Sequence, residues 1–177
     1  MKRIVALIIP LLILATIATA QKTAINKATI KFQIKNLGVN TGGNINGLQA
    51  NLQFDPAKPE TSTIEAILDV SSINTDNDLR DKHLRSDEFF DVGKFPKITM
   101  KSVALKHKSG DNYTGQFNLT IKDKTKTVDM PFTYTATGNT ALFKGTIKLN
   151  RLDYGVGGKS FVMSNDVTVT IEVEAAK

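Results

Sequence analysis

The 177-residue sequence contains no cysteine and no tryptophan, and it has only two histidines. Each shortage removes a class of function. Without cysteine there is no disulfide framework, no thiolate nucleophile, no Cys-based zinc site and no thiol to carry a lipid anchor. His83 and His107 are the only imidazoles, and Asp81, Asp87, Glu88 and Asp91 follow no metal-loop spacing, so no metal site is expected. No G-x-S-x-G or comparable nucleophile motif occurs, and neither a catalytic residue nor a cofactor is expected. The net charge is +6, from 23 basic and 17 acidic residues. The lysines are scattered among acids and threonines, and no tryptophan is there to stack on a base. Nucleic acid is therefore not an expected partner.

The chain also lacks long apolar runs, except at its start. Lys2 and Arg3 precede "IVALIIPLLILATIA", and "ATA" precedes Gln21. A charged start, an apolar stretch and a small-x-small site read as a signal peptide over residues 1–20, with a mature domain over residues 21–177. Pro10 interrupts the apolar stretch, and no later run approaches the roughly 20 apolar residues of a membrane helix. The expected location is periplasmic or secreted, with no transmembrane span after cleavage.

What the mature chain does have is alternation. Apolar residues recur at every second position, the mark of strands with one dry face. "ATIKFQIK" contributes Phe32 and Ile34, "NLQF" Leu52 and Phe54, "TIEAILDV" Leu68 and "KITMK" Met100. Further along, "QFNLTI" contributes Phe117 and Leu119, "DMPF" Met130 and Phe132, "LFKGTI" Phe143 and Ile147, and "VTVTIEV" Val169 and Ile171. The pattern slips at Val103-Ala104-Leu105, which predicts a bulge. Turn signals such as "TGGN", "KSGDN", "IKDKTK" and "TGNT" separate the runs. About eight antiparallel strands follow, closed into a barrel or split between two packed sheets.

From Ser71 to Pro96 the alternation stops. Thr75 and Asp78 resemble a helix start, which predicts a short helix through "DLRDKHLRS" as a cap across the β body. Leu79, Leu84, Phe89 and Phe90 would anchor it, the two rings contributing roughly 3–6 kcal/mol before entropy. Arg80, Asp81, His83, Arg85 and Asp91 would form a polar network joined by Arg151 and Asp153.

The stretch "TDNDLRDKHLRSDEFFDVGKFPKITMKS" resembles the signature of the YceI-like family of secreted bacterial proteins. "GQFNLTIKDKTKTVDMPF" and "NRLDYGVG…MSNDVTVTIEVEA" are similar to its later segments. Asp123 stands where the family commonly has glycine in the turn after "LTI", and Leu48 where an aromatic often follows the glycine. The resemblance implies an all-β, eight-stranded antiparallel lipocalin-like barrel with a short helical cap between two strands. It also implies an apolar tunnel for a long-chain amphiphile of polyisoprenoid or isoprenoid-quinone type.

The expected function is a secreted, non-enzymatic carrier. The inward residues named above, with Phe89, would line its cavity, and His83 and Arg151 would meet a polar head. A homodimer is compatible with this reading. Two alternatives remain open: a secreted hydrolase or isomerase using His83, and a scaffold or adhesion module whose barrel is filled.

Overall fold

The structure is a computed structural model that describes residues 23–177. The signal peptide expected over residues 1–20 lies outside the described residues. Nine strands form a single antiparallel sheet: β1 (Ile25–Asn36), β2 (Val39–Ile45), β3 (Gln49–Gln53), β4 (Thr63–Asp69), β5 (Lys97–Ser109), β6 (Asn112–Ile121), β7 (Lys124–Thr137), β8 (Thr140–Asn150) and β9 (Met163–Ala176). The order across the sheet is β2-β1-β9-β8-β7-β6-β5-β4-β3. The edges, β2 and β3, are separated in sequence by only Asn46–Leu48. The chain thus leaves one edge and starts the other within three residues, and the curled sheet has its edges tied by the backbone. Gly47, at φ 73°, supplies the bend.

Alternation produces this architecture because antiparallel partners share a face. Phe32 lies opposite Val169, which lies opposite Ile147. Phe132 lies opposite Gly145 and Tyr113, and Met100 lies opposite both Ala66 and Leu119. The apolar positions therefore form one band around the interior. The predicted bulge is present: the β5–β6 register shifts between Ser102 and Ala104, and Val103 turns outward. Ser102 then accepts a hydrogen bond from the Ile64 amide at 2.9 Å.

The sheet has one strand more than the eight expected, and the extra one is β2. "TGGN" reads as a turn, but it is paired strand: Gly42 and Gly43 lie opposite Gln33 and Phe32. Glycine is needed here for close approach. A Cβ on Gly43 would meet the Asn74 carbonyl oxygen at 2.3 Å and the Thr75 methyl at 2.7 Å. The outer side of β2 is covered by that same segment, with Asn44 and Asn74 exchanging backbone hydrogen bonds of 2.8 and 3.0 Å. A sheet edge that would otherwise be free is blocked.

The segment between β4 and β5 contains α1 (Asp78–Arg85), the expected short helix. Its cap is Asn77, whose side chain accepts from the Arg80 amide at 2.9 Å, and not Thr75. Thr75 instead donates its amide and its hydroxyl to the buried Asp81 carboxylate, at 2.9 and 2.5 Å. Leu79 is not an anchor, being 82% exposed. In the β6–β7 turn it is Lys122 that adopts positive φ, at 57°, and Asp123 is spared the left-handed geometry expected of it.

Gly43→Ala is expected to destabilise the fold by about 1–3 kcal/mol, because the added methyl must displace backbone atoms of the covering segment. Urea denaturation followed by circular dichroism would measure it.

Candidate functional site

The inward band is not packed solid. It encloses two apolar chambers, of about 170 Å³ and about 100 Å³. Leu68, Ile98, Met100 and Leu119 line both, so the chambers are neighbours with these four side chains at the waist between them. An apolar cavity of about 150 Å³ stays dry and accepts a small hydrocarbon. At about 24 cal/mol per Å³, the larger chamber alone represents roughly 4 kcal/mol of forgone packing.

The larger chamber lies on the α1 side. Phe32 and Ile34 of β1, Ile147 of β8 and Val169 of β9 form its walls. Leu84, Phe89 and Phe90, from α1 and the turns after it, cover it. The smaller chamber is bounded by Leu52, Phe117, Met130, Phe132, Phe143 and Ile171. Beyond it stands an aromatic cluster. The Phe54 ring is 4.8 Å from Tyr134, 5.2 Å from Tyr113 and 5.5 Å from Phe143. These edge-on and tilted contacts lock the rings together.

Of the residues expected to line a cavity, the structure brings together all but two. Phe54 belongs to the aromatic cluster and lines neither chamber. His83 also lies outside: its side chain is 57% exposed, Nε2 pairs with the Glu88 carboxylate, and the ring packs edge-on against Phe89 at 4.8 Å. A helix this short turns its polar side to solvent, and His83 falls on that side. The sequence reading left out Tyr154, Val156 and Met163, which line the larger chamber. Tyr154 and Val156 follow β8 in a short 3-10 turn and loop, where no alternation marks an inward side. Ile64, Ala66 and Ile98 were legible, since they continue alternating rows already recognised.

The polar network expected at this end separates into independent pieces. Arg80 donates to the Thr75 hydroxyl and carbonyl at 2.8 and 2.6 Å. Arg85 donates to the carbonyls of Ser71 and Ile73 at 2.9 and 2.6 Å. Asp91 pairs with Lys94 at 3.2 Å. Asp153 makes no part of a shared cluster with them. The Arg–carbonyl bonds tie the helix to the chain segment that covers β2.

Arg151 is different. It is only 5% exposed, lines the larger chamber, and has no carboxylate partner. Nε donates to the Ser164 carbonyl at 2.9 Å, Nη1 to the Val156 carbonyl at 2.9 Å, and Nη2 makes a long 3.4 Å contact with the Asn165 side-chain oxygen. A guanidinium has five N–H donors, so some of its capacity is unspent. Burial pushes its pKa down from the ordinary arginine value. Three residues on, the Tyr154 hydroxyl is buried without a hydrogen-bond partner, and burial, helped by the Asp153 charge, pushes its pKa up. Two under-satisfied polar groups thus belong to residues of the larger chamber's wall, although the surface the chamber presents is wholly apolar. Such groups are costly unless something pairs with them.

Arg151→Met is expected to cost about 2–4 kcal/mol of stability, because buried carbonyls lose their donor. His83→Ala should change stability by no more than about 0.5 kcal/mol, as an exposed pair contributes little. Guanidinium denaturation of both variants would check the contrast.

Comparison with known proteins agrees with this architecture. The YceI-like domain model matches residues 22–175. A UPF0312 protein of Yersinia enterocolitica is 32% identical over 157 residues, covering 85% of this chain and 81% of its own. The crystal structure of Burkholderia cenocepacia BcnA superposes with a TM-score of 0.83 at 25% identity, covering 87% of this chain and 99% of its own. A polyisoprenoid binding domain from Saccharophagus degradans, implicated in plant cell wall breakdown, shares the fold with a TM-score of 0.69 at 13% identity, covering 89% of this chain and 98% of its own. With nearly all of the described residues matched, the chain belongs to the YceI-like family.

Proposed function

We propose that the protein is an exported carrier that sequesters a long-chain amphiphile of polyisoprenoid or isoprenoid-quinone type. One observation carries the reading: two neighbouring apolar chambers inside the sheet, the larger of which has in its wall a buried arginine that lacks a carboxylate. The extended tail occupies both chambers, and each methylene removed from water contributes about 0.8 kcal/mol. Met100 at the waist and Met130 in the smaller chamber suit a flexible guest, because thioether chains adapt their shape. The chamber surface is wholly apolar, so a polar head meets the unspent donors of Arg151 and the Tyr154 hydroxyl only once both side chains turn toward it. The Saccharophagus degradans domain, described as polyisoprenoid binding, has the same fold, and the charged, apolar N-terminal segment favours export to the periplasm or beyond.

The geometry favours binding over catalysis. Ser86 donates its hydroxyl to the His83 carbonyl at 2.7 Å and so does not engage the imidazole, which Glu88 occupies. No nucleophile–base pair is assembled there. Among the described residues no group of three or more His, Cys, Asp or Glu side chains is placed to hold a metal. The reading of a filled scaffold loses ground to the chambers themselves.

Native mass spectrometry after detergent-free purification tests the proposal. The expected result is a bound amphiphile, or stoichiometric uptake of added prenol or prenyl quinone. Failure to bind either at micromolar concentration would overturn it. Leu68→Trp, which fills the waist, should reduce binding of long prenyl chains to that of chains short enough for one chamber. Tyr154→Phe should leave the empty protein equally stable, or up to about 1.5 kcal/mol more so, because a buried unpaired hydroxyl is removed, while weakening the amphiphile.

A further inference from the structure

Four large apolar side chains outside the cavity are exposed together at one end of the barrel. Leu37 is 73% exposed, Val39 and Val162 are more than half exposed, and Phe161 is fully exposed. Leu37 belongs to the β1–β2 turn and Val39 starts β2, while Phe161 and Val162 belong to the loop before β9. The two segments are joined by a hydrogen bond from the Leu37 amide to the Val162 carbonyl at 2.8 Å. The loop is held in shape as well. Ser160 Oγ accepts from the amides of Val162 and Met163 at 3.2 and 3.1 Å, leaving Phe161 at the tip.

Leu37 is the telling residue. Asn36 pairs with Val39, so Leu37 and Gly38 form a two-residue turn, and both have positive φ, 51° and 77°. That turn favours Asn, Asp or Gly at its first position. A leucine there is strained in the backbone and wet in the side chain, and nothing in the turn compensates. The same rim borders the larger chamber: Ile34, near the end of β1, and Met163, directly after Val162, both line it. Lys35 and Lys159 are exposed beside the patch, with the exposed Asp166 on the part of β9 next to Lys35, so basic groups outnumber acidic ones there.

We propose that this rim is a membrane-docking surface: Leu37, Val39, Phe161 and Val162 enter the interface of an anionic bilayer, and Lys35 and Lys159 meet the lipid phosphates. The proposal rests on the carrier reading for its purpose, since a guest moving from bilayer to chamber across a docked rim avoids exposure to water. Apolar side chains flanked by two lysines match the interfacial zone, where burial of the former and attraction of the latter act together. A second copy of the chain fits worse, because two such rims face to face would oppose lysine to lysine.

The absence of tryptophan makes the test direct. Phe161→Trp places a single indole at the tip. Its emission should shift to the blue on addition of phosphatidylglycerol vesicles, less so with phosphatidylcholine, and the shift should weaken with salt. Co-sedimentation with the anionic vesicles should fall about tenfold or more in the Leu37→Asn, Phe161→Ser double variant. Leu37→Asn alone should bind vesicles less while melting at the same or a higher temperature, since asparagine suits the turn. Emission that stays solvent-like with anionic vesicles would overturn the proposal. So would a blue shift without vesicles that grows with protein concentration, which would identify a second copy as the occupant. Uptake of prenol from vesicle-free solution separates the two readings. A double variant that loads in solution but not from vesicles supports docking. Docking without any prenol uptake by the unaltered rim sinks the carrier reading and leaves the membrane surface standing.

Discussion

Continuous antiparallel pairing from β2 round to β3 is the constraint on which the rest of the molecule depends. In a strand the side-chain period is two, so a slip of one residue would turn an entire apolar row to solvent. The register holds because many inward pairs put apolar positions against apolar positions: Phe32 to Val169 to Ile147, and Met130 to Gly115 to Leu105. The pairing also survives four register shifts, at Ile25/Lys27 and Ile34/Asn36 in β1 and at Ser102/Ala104 and His107/Ser109 in β5. Gly47 bends the chain from one edge of the sheet to the other. With the edges tied by the backbone and β2 covered by Asn74, the inner face has few ways to exchange partners.

That rigidity lets the interior remain unfilled. Protein interiors ordinarily approach the density of organic crystals, and voids are costly. Here the aromatic cluster around Phe54 carries the dense packing, and the chambers lie between it and the α1 side. One part of the core is densely packed while the other part is left open. A filled barrel would have spread large rings evenly. This one concentrates them beyond the smaller chamber and lines the waist with Leu68, Ile98, Met100 and Leu119.

The polar groups divide along the same line. Asp81, Arg80 and Arg85 are engaged by backbone and hydroxyl groups, so they serve to fasten α1 and its flanking segment. Arg151 and Tyr154 are buried with donor capacity to spare at the chamber wall. Hydrogen bonding thus divides the buried polar groups more cleanly than residue type does. His83, the residue that most invites a chemical role on composition alone, is among the more exposed of its helix.

How much was legible in the sequence follows from the range of the interactions involved. Alternation is a local property, so the strands and the inward set from Phe32 to Ile171 could be read directly, as could the bulge and the helix. The strand in "TGGN" could not, because glycine marks both a turn and a close approach, and only the packing of Asn74 and Thr75 against Gly43 distinguishes them. The cap residue of α1 could not be settled either, since Thr75 and Asn77 are both able caps until Asp81 claims the threonine. By itself the sequence determined the period of the chain, and with it an all-β fold with one dry face. Tertiary structure alone decided that the dry face encloses space, that Arg151 borders it and that His83 does not. Enclosure depends on where distant strands meet, and a local pattern carries no information about that distance.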